Sequence, residues 1–140
     1  MKVLLAADGS KYTKKALAFL VNHESLVSTD DELFVLNVQI QVPTRVKSML
    51  GSTEIAAYYR EEGDKVLNPI KKFLDKHALN YRCLAVVGHP VEEILKAAAK
   101  EKSHLIVMGT RGHGLIGRTL IGSIAQRVVS DSDIPVLLVK

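Results

Sequence analysis

Apolar residues gather in five short runs: Val3 to Ala7, Leu33 to Val38, Cys83 to Val87, Leu105 to Met108 and Pro135 to Val139. A strand with one wet face alternates apolar and polar side chains. A run without that alternation is buried on both faces, as parallel strands covered by helices are. Between the runs the spacing becomes helical. Ser10 is placed to cap a first helix, in which Tyr12, Ala16 and Leu20 recur near a period of 3.6, flanked by Leu17 and Phe19. A long helical region from Gly51 to His77 carries Ile55, Tyr59, Val66, Ile70, Phe73 and Leu74, and Gly63 and Pro69 are expected to kink or divide it. Pro90 suits the first turn of a third helix, with Val91, Ile94, Leu95 and Ala98 on one face. Ser123 to Gln126 reads as a capping box that opens a last helix with Ile124, Ala125, Val128 and Val129 on its apolar side. Gln39 to Ser52 is polar, holds Pro43 and Gly51, and reads as a surface loop, either mobile or folded over a ligand.

Strand and helix therefore alternate from end to end, and the right-handed crossover rule turns that alternation into a three-layer open α/β sandwich around a five-stranded parallel sheet. Ligands of such sheets bind beyond the carboxyl ends of the strands, where the strand order reverses. The order 3-2-1-4-5 places the loops after the first and fourth strands across one crevice. The alternative order 2-1-3-4-5 moves the fourth-strand loop off-centre. The first is preferred because it brings Asp8-Gly9-Ser10 to face Gly109 to Ser123.

Length makes this a single domain of 140 residues, 1–140, large enough for its own core. A single cysteine, Cys83, rules out an internal disulfide and reads as a buried structural thiol, consistent with a reducing, cytoplasmic setting. No run approaches the eighteen apolar residues that a membrane span needs. Nineteen basic against fifteen acidic residues leave a net charge of +4, scattered rather than massed, and there is no tryptophan. Nucleic acid is a poor fit to that distribution, and small anions a better one.

The chemistry concentrates after Leu105 to Met108. Gly109-Thr110-Arg111-Gly112, nine residues, then Gly122-Ser123 sets three glycines and a hydroxyl where a strand gives way to a helix. Glycine admits positive φ and close approach of the backbone to a bulky anion, and a helix start offers uncharged N–H donors. Gly112 to Gly117 is literally G-x-G-x-x-G, but only one strand follows it, which argues against a dinucleotide fold. No Gly-Lys-Ser/Thr ending is present, so the segment is not a Walker A loop. A phospho-acceptor domain needs an aspartate after the third strand, where this chain has Gly88-His89-Pro90.

Gly109-x2-Gly112-x9-Gly122-Ser123, with Ala7-Asp8-Gly9-Ser10, Gly88-His89-Pro90 and Ile134-Pro135-Val136, resembles the universal stress proteins over the whole chain, specifically their ATP-binding branch. The resemblance implies a Rossmann-like sheet of order 3-2-1-4-5, of the adenine nucleotide alpha hydrolase-like kind, an adenine-nucleotide site, and a homodimer through the Pro135 to Val139 edge strand. It implies that Gly109, Gly112, Gly122 and Ser123 form the ribose and phosphate cradle, and that Thr110, Gly114 and Ile124 belong to the same nucleotide site. Ala6 and Val38 would line the adenine with apolar wall and backbone hydrogen bonds, and Asp8 would face ribose, adenine or a metal. Arg111, His113 and Arg118 sit in the loop, where they can offset phosphate charge.

His23, His77, His89 and His104 lack metal-ligand spacing, so no protein metal site is expected, and Mg²⁺ would come with the nucleotide. No nucleophile, base and orienting acid assemble around the loop, so no catalytic residue is assigned and ATP is expected to act by occupancy. A slow Mg²⁺-dependent ATPase and a nucleotide-free dimeric interaction module stay open as alternatives.

Overall fold

The computed structural model describes residues 1–112 and 121–140. Its strands are β1 (Lys2–Ala6), β2 (Glu32–Gln39), β3 (Asn80–Val87), β4 (Leu105–Gly109) and β5 (Val136–Val139). Its helices are α1 (Lys11–Val21), α2 (Thr44–Met49), α3 (Ser52–Leu74), α4 (Pro90–Lys100) and α5 (Ser123–Asp131). All strand pairs are parallel and the order is β3-β2-β1-β4-β5, the preferred one. β1 lies at the centre, with Val3, Leu4 and Leu5 fully buried. Each of these contributes roughly 1.5–3 kcal/mol by leaving water. On one face Val3, Leu5, Val35 and Val107 pack with Leu17, Leu20, Ile70 and Leu74 of α1 and α3. On the other, Leu4, Phe34 and Ile106 pack with Ile94, Ala98 and Val128 of α4 and α5. No helix among the described residues is long and apolar enough to cross a membrane.

Several local expectations are corrected. The polar segment 39–52 contains α2, whose first turn is closed by Pro43: its carbonyl accepts the N–H groups of Val46 and Lys47. α3 runs unbroken through both Gly63 and Pro69. A Cβ at Gly63 would lie 3.0 Å from Ala85 Cβ, so this glycine serves the packing of helix on sheet. Pro69 is on the exposed side, where water can satisfy the carbonyl that its missing N–H leaves behind. β3 is an edge strand and is not buried on both faces, with Leu84 and Val87 exposed. Cys83 is accordingly half-buried rather than enclosed, though burial still pushes its thiol above the ordinary range.

Two caps also differ from the sequence reading. Ser10 stands at the N-cap of α1, but its hydroxyl is buried and makes no cap bond. The N-cap of α5 is Gly122, which makes Ser123 the first helical residue, and Gln126 turns its side-chain amide to the Ile121 carbonyl instead of closing a capping box. α5 buries Ala125 and Val128 but leaves Ile124 and Val129 exposed.

At the start of β3, the Tyr81 hydroxyl donates to Asp75 just beyond α3. The bond to a carboxylate, with partial burial, lifts the phenol from 10.0 to about 12. Since the folded value exceeds the unfolded one, the bond adds stability that is complete below pH 10 and is lost as pH rises through about 12. Ultraviolet titration is expected to show one of the four tyrosines ionising near pH 12, and Asp75→Asn to return it toward 10. A normal midpoint in the parent protein would dismiss the bond.

Candidate functional site

The carboxyl ends of β1, β2 and β4 open on a cavity of about 610 Å³, closed at the sides by α3, α4 and the start of α5. The central strand ends early. Ala6 pairs with Leu36, and Ala7 N–H makes a last rung to the Leu36 carbonyl at 2.8 Å. The chain then turns away through Asp8 and Gly9, the latter at φ 78, a conformation that favours glycine. β2 runs on past this end, so Val38 stands on the cavity wall with no strand beside it on the β1 side. Leu36, Val38, Ile94 and Met108 make that part of the wall apolar.

Asp8 performs two tasks. Its Oδ1 accepts Ser10 N–H at 2.9 Å and the Thr13 hydroxyl at 2.9 Å, an Asx turn that holds the start of α1. Its Oδ2 faces the β4 loop so closely that a Cβ on Gly112 would lie 2.5 Å away. Both carboxylate oxygens are therefore set by their surroundings, one by the turn and one by the loop.

The loop after β4 is pinned at Thr110. Its N–H donates to the Val139 carbonyl at 2.9 Å, and its own carbonyl accepts Gly122 N–H at 2.6 Å. The Thr110 hydroxyl is buried on the cavity wall without a partner among the described residues, a cost that a bound acceptor or donor would relieve. Beyond it α5 begins with Ser123, Ile124 and Ala125, all three lining the cavity. Gln126 N–H is the first to enter the helix ladder, by bonding the Gly122 carbonyl. The three preceding N–H groups have no main-chain acceptor among the described residues and carry the positive end of the helix dipole.

Of the site residues expected from sequence, Ala6, Asp8, Val38, Gly109, Thr110, Arg111, Gly112, Ser123 and Ile124 line this one cavity. Gly122 is not among the lining residues, and its N–H donates to the Thr110 carbonyl. His113, Gly114 and Arg118 lie outside the described residues. The reason for the glycines is also corrected, because neither Gly109, Gly112 nor Gly122 takes a positive φ. Gly109 is where α1 crosses β4, and a Cβ there would lie 2.4 Å from Tyr12 Cβ. Arg111 lies 5.9 Å from the centre of the Tyr12 ring, which Lys11 and Lys15 also flank.

Sequence reasoning did not place Asn37, Thr13, Tyr58 or Glu62 on the wall. Glu62 adds a second carboxylate to the wall and is paired to Lys65 at 2.9 Å. Tyr58 and Glu62 come from the long helix, where nothing local marks them. Asn37 did leave a signal, as the one polar residue inside the run Leu33 to Val38.

An open parallel sheet whose cavity lies at the reversal of strand order, walled by apolar side chains and faced by a helix start, defines an α/β protein of the Rossmann-like class. The universal stress protein family model matches residues 1–140, and the chain belongs to that family. It is 33% identical over 140 residues to Universal stress protein MJ0531 of Methanocaldococcus jannaschii, covering 99% of this chain and 81% of that protein. The solved structure of hypothetical protein MJ0577, from the same organism, superposes with a TM-score of 0.85 at 30% identity, covering 99% of this chain and 94% of that one. A universal stress protein in complex with cAMP matches 100% of this chain and 97% of its own, with a TM-score of 0.70 at 21% identity. One from Archaeoglobus fulgidus in complex with dAMP matches 100% and 98%, at 0.71 and 19%. These two share the fold.

Proposed function

We propose that this universal stress protein binds an adenine nucleotide, ATP foremost, and regulates partners through occupancy of the site. The observation that carries the reading is the polarity of the cavity along its length. At one end Val38 and its apolar neighbours make a slot for a flat heterocycle; at the other, three helix N–H groups and the orphaned Thr110 hydroxyl face whatever lies before α5. A molecule with an aromatic base at one end and phosphates at the other complements both. The volume, about 610 Å³, is that of a small-molecule site. That two relatives of the same fold were solved with cAMP and dAMP supports the ligand class.

Among the described residues no three metal-ligating side chains stand together, so Mg²⁺ would be carried mainly by the phosphates. Asp8 and Glu62 are the carboxylates on the cavity wall. β5 forms the sheet edge, its Val136, Leu137 and Leu138 half-buried, and pairing with a second copy through it would cover that edge and extend the assembly across a two-fold axis.

The test is calorimetric titration of nucleotide-stripped protein with ATP, with and without Mg²⁺, alongside sedimentation and phosphate release. Binding in the micromolar range, roughly −8 kcal/mol, by a dimer that releases no phosphate is the expected result. Sustained phosphate release would make the protein a slow ATPase, and absence of binding would leave a dimeric interaction module.

A further inference from the structure

Asn37 is 2% exposed, the one polar residue inside the apolar run Leu33 to Val38 of β2. Its side-chain amide donates to the Ala7 carbonyl at 2.8 Å, and its own carbonyl accepts the Gln39 side-chain amide. The acceptor it takes is a particular one. With Ala6 opposite Leu36 and Ala7 N–H on the Leu36 carbonyl, the next rung of a parallel ladder would join Val38 N–H to that same Ala7 carbonyl. No such rung forms.

The direction of the Val38 main chain follows from alternation. Leu36 directs its carbonyl to β1, and Gln39 directs its carbonyl to Gly88 N–H, on the β3 side. Val38 therefore points its N–H and C=O to the β1 side, past the end of β1 and onto the cavity it lines.

We propose that Asn37 is a positioning residue: its amide stands in for the missing β1–β2 rung and so leaves the Val38 N–H and C=O as the donor and acceptor that read the edge of a bound base. An apolar side chain at 37 would leave the buried Ala7 carbonyl without a donor, and the Val38 N–H is the group the ladder would bring to it. The rung would then form and the reading edge would close. Adenine presents an amine donor beside a ring-nitrogen acceptor; guanine presents the reverse. A fixed N–H and C=O pair therefore discriminates between them. The inference rests on the nucleotide reading of the cavity, but its structural half is measurable in the ligand-free protein.

The experiment compares the parent with Asn37→Val and with Asn37→Ser, the latter too short to reach Ala7 and gentler on folding. Amide hydrogen exchange at Val38 is followed without ligand, and ATP and GTP affinities are measured by calorimetry. In the parent, Val38 is expected to exchange much faster than Leu36, and ATP to bind roughly tenfold or more tighter than GTP. In both variants Val38 becomes protected by roughly tenfold and the ATP preference shrinks to within about threefold, while GTP affinity holds. Unchanged Val38 exchange, or a retained ATP preference in variants that are merely less stable, would reduce Asn37 to a structural residue and overturn the proposal. A parent protein that binds no nucleotide fails the functional reading instead, and Val38 exchange then still decides what Asn37 does to the strand.

Discussion

Ser123→Glu is expected to abolish nucleotide binding while making the protein slightly more stable. Residue 123 is the first of α5, exposed, and on the cavity wall. A carboxylate in the first turn of a helix interacts favourably with the dipole, by about 0.3–1 kcal/mol. The same carboxylate stands where the proposed phosphates would lie. Two like charges about 4 Å apart at an effective dielectric near 20 repel by about 4 kcal/mol, and even half of that, summed over a triphosphate, weakens binding by roughly 100-fold or more. Ser123→Ala, which removes one hydroxyl and leaves the N–H groups, should cost less than about tenfold. The opposite signs on stability and affinity separate a phosphate site from a generally fragile loop. Ser123→Glu protein that melts higher and still binds ATP like the parent would place the phosphates elsewhere.

Gly109→Ala is expected to lower the melting temperature by about 4–12 °C, from overpacking of about 1–3 kcal/mol. The added methyl would lie 2.4 Å from Tyr12 Cβ, 3.1 Å from its carbonyl carbon and 3.2 Å from its carbonyl oxygen. Two of these three atoms are backbone and the third is the root of the side chain. Trimming Tyr12→Ala therefore removes none of them, and the double mutant should be no more stable than Gly109→Ala alone. Rescue by Tyr12→Ala in thermal melts would show that the aromatic ring, and not the approach of α1 to β4, excludes a side chain at 109. The first residue of the glycine motif thus serves the fold, by letting the first helix settle against the strand that carries the loop.

Much of the architecture was readable from local pattern. The apolar runs of β1 and β4, the i, i+3, i+4, i+7 spacing of α4 and the position of Pro90 each report burial or period within a few residues, and all three appear in the fold. The strand order followed from requiring Asp8 and the Gly109 loop to meet, and in the structure Asp8 Oδ2 does face Gly112. Patterns that depend on exposure were less legible. Pro69 suggested a break, yet a proline on the wet side of a long helix leaves the buried ladder intact. β3 has the composition of a buried strand, but its place at the sheet edge leaves Leu84 and Val87 in solvent.

The sequence by itself determined the class of fold, the end of the sheet at which the cavity opens, and a minority of the residues that line it, because strand burial, helical period and glycine spacing are written in consecutive positions. Only the tertiary structure decided what each of those residues meets. Gly109 answers to Tyr12, Gly112 to Asp8, the Gly122 N–H to the Thr110 carbonyl and the Asn37 amide to Ala7, thirty residues away. Such pairings depend on where the sheet brings distant segments together, and distance along the chain carries no record of them.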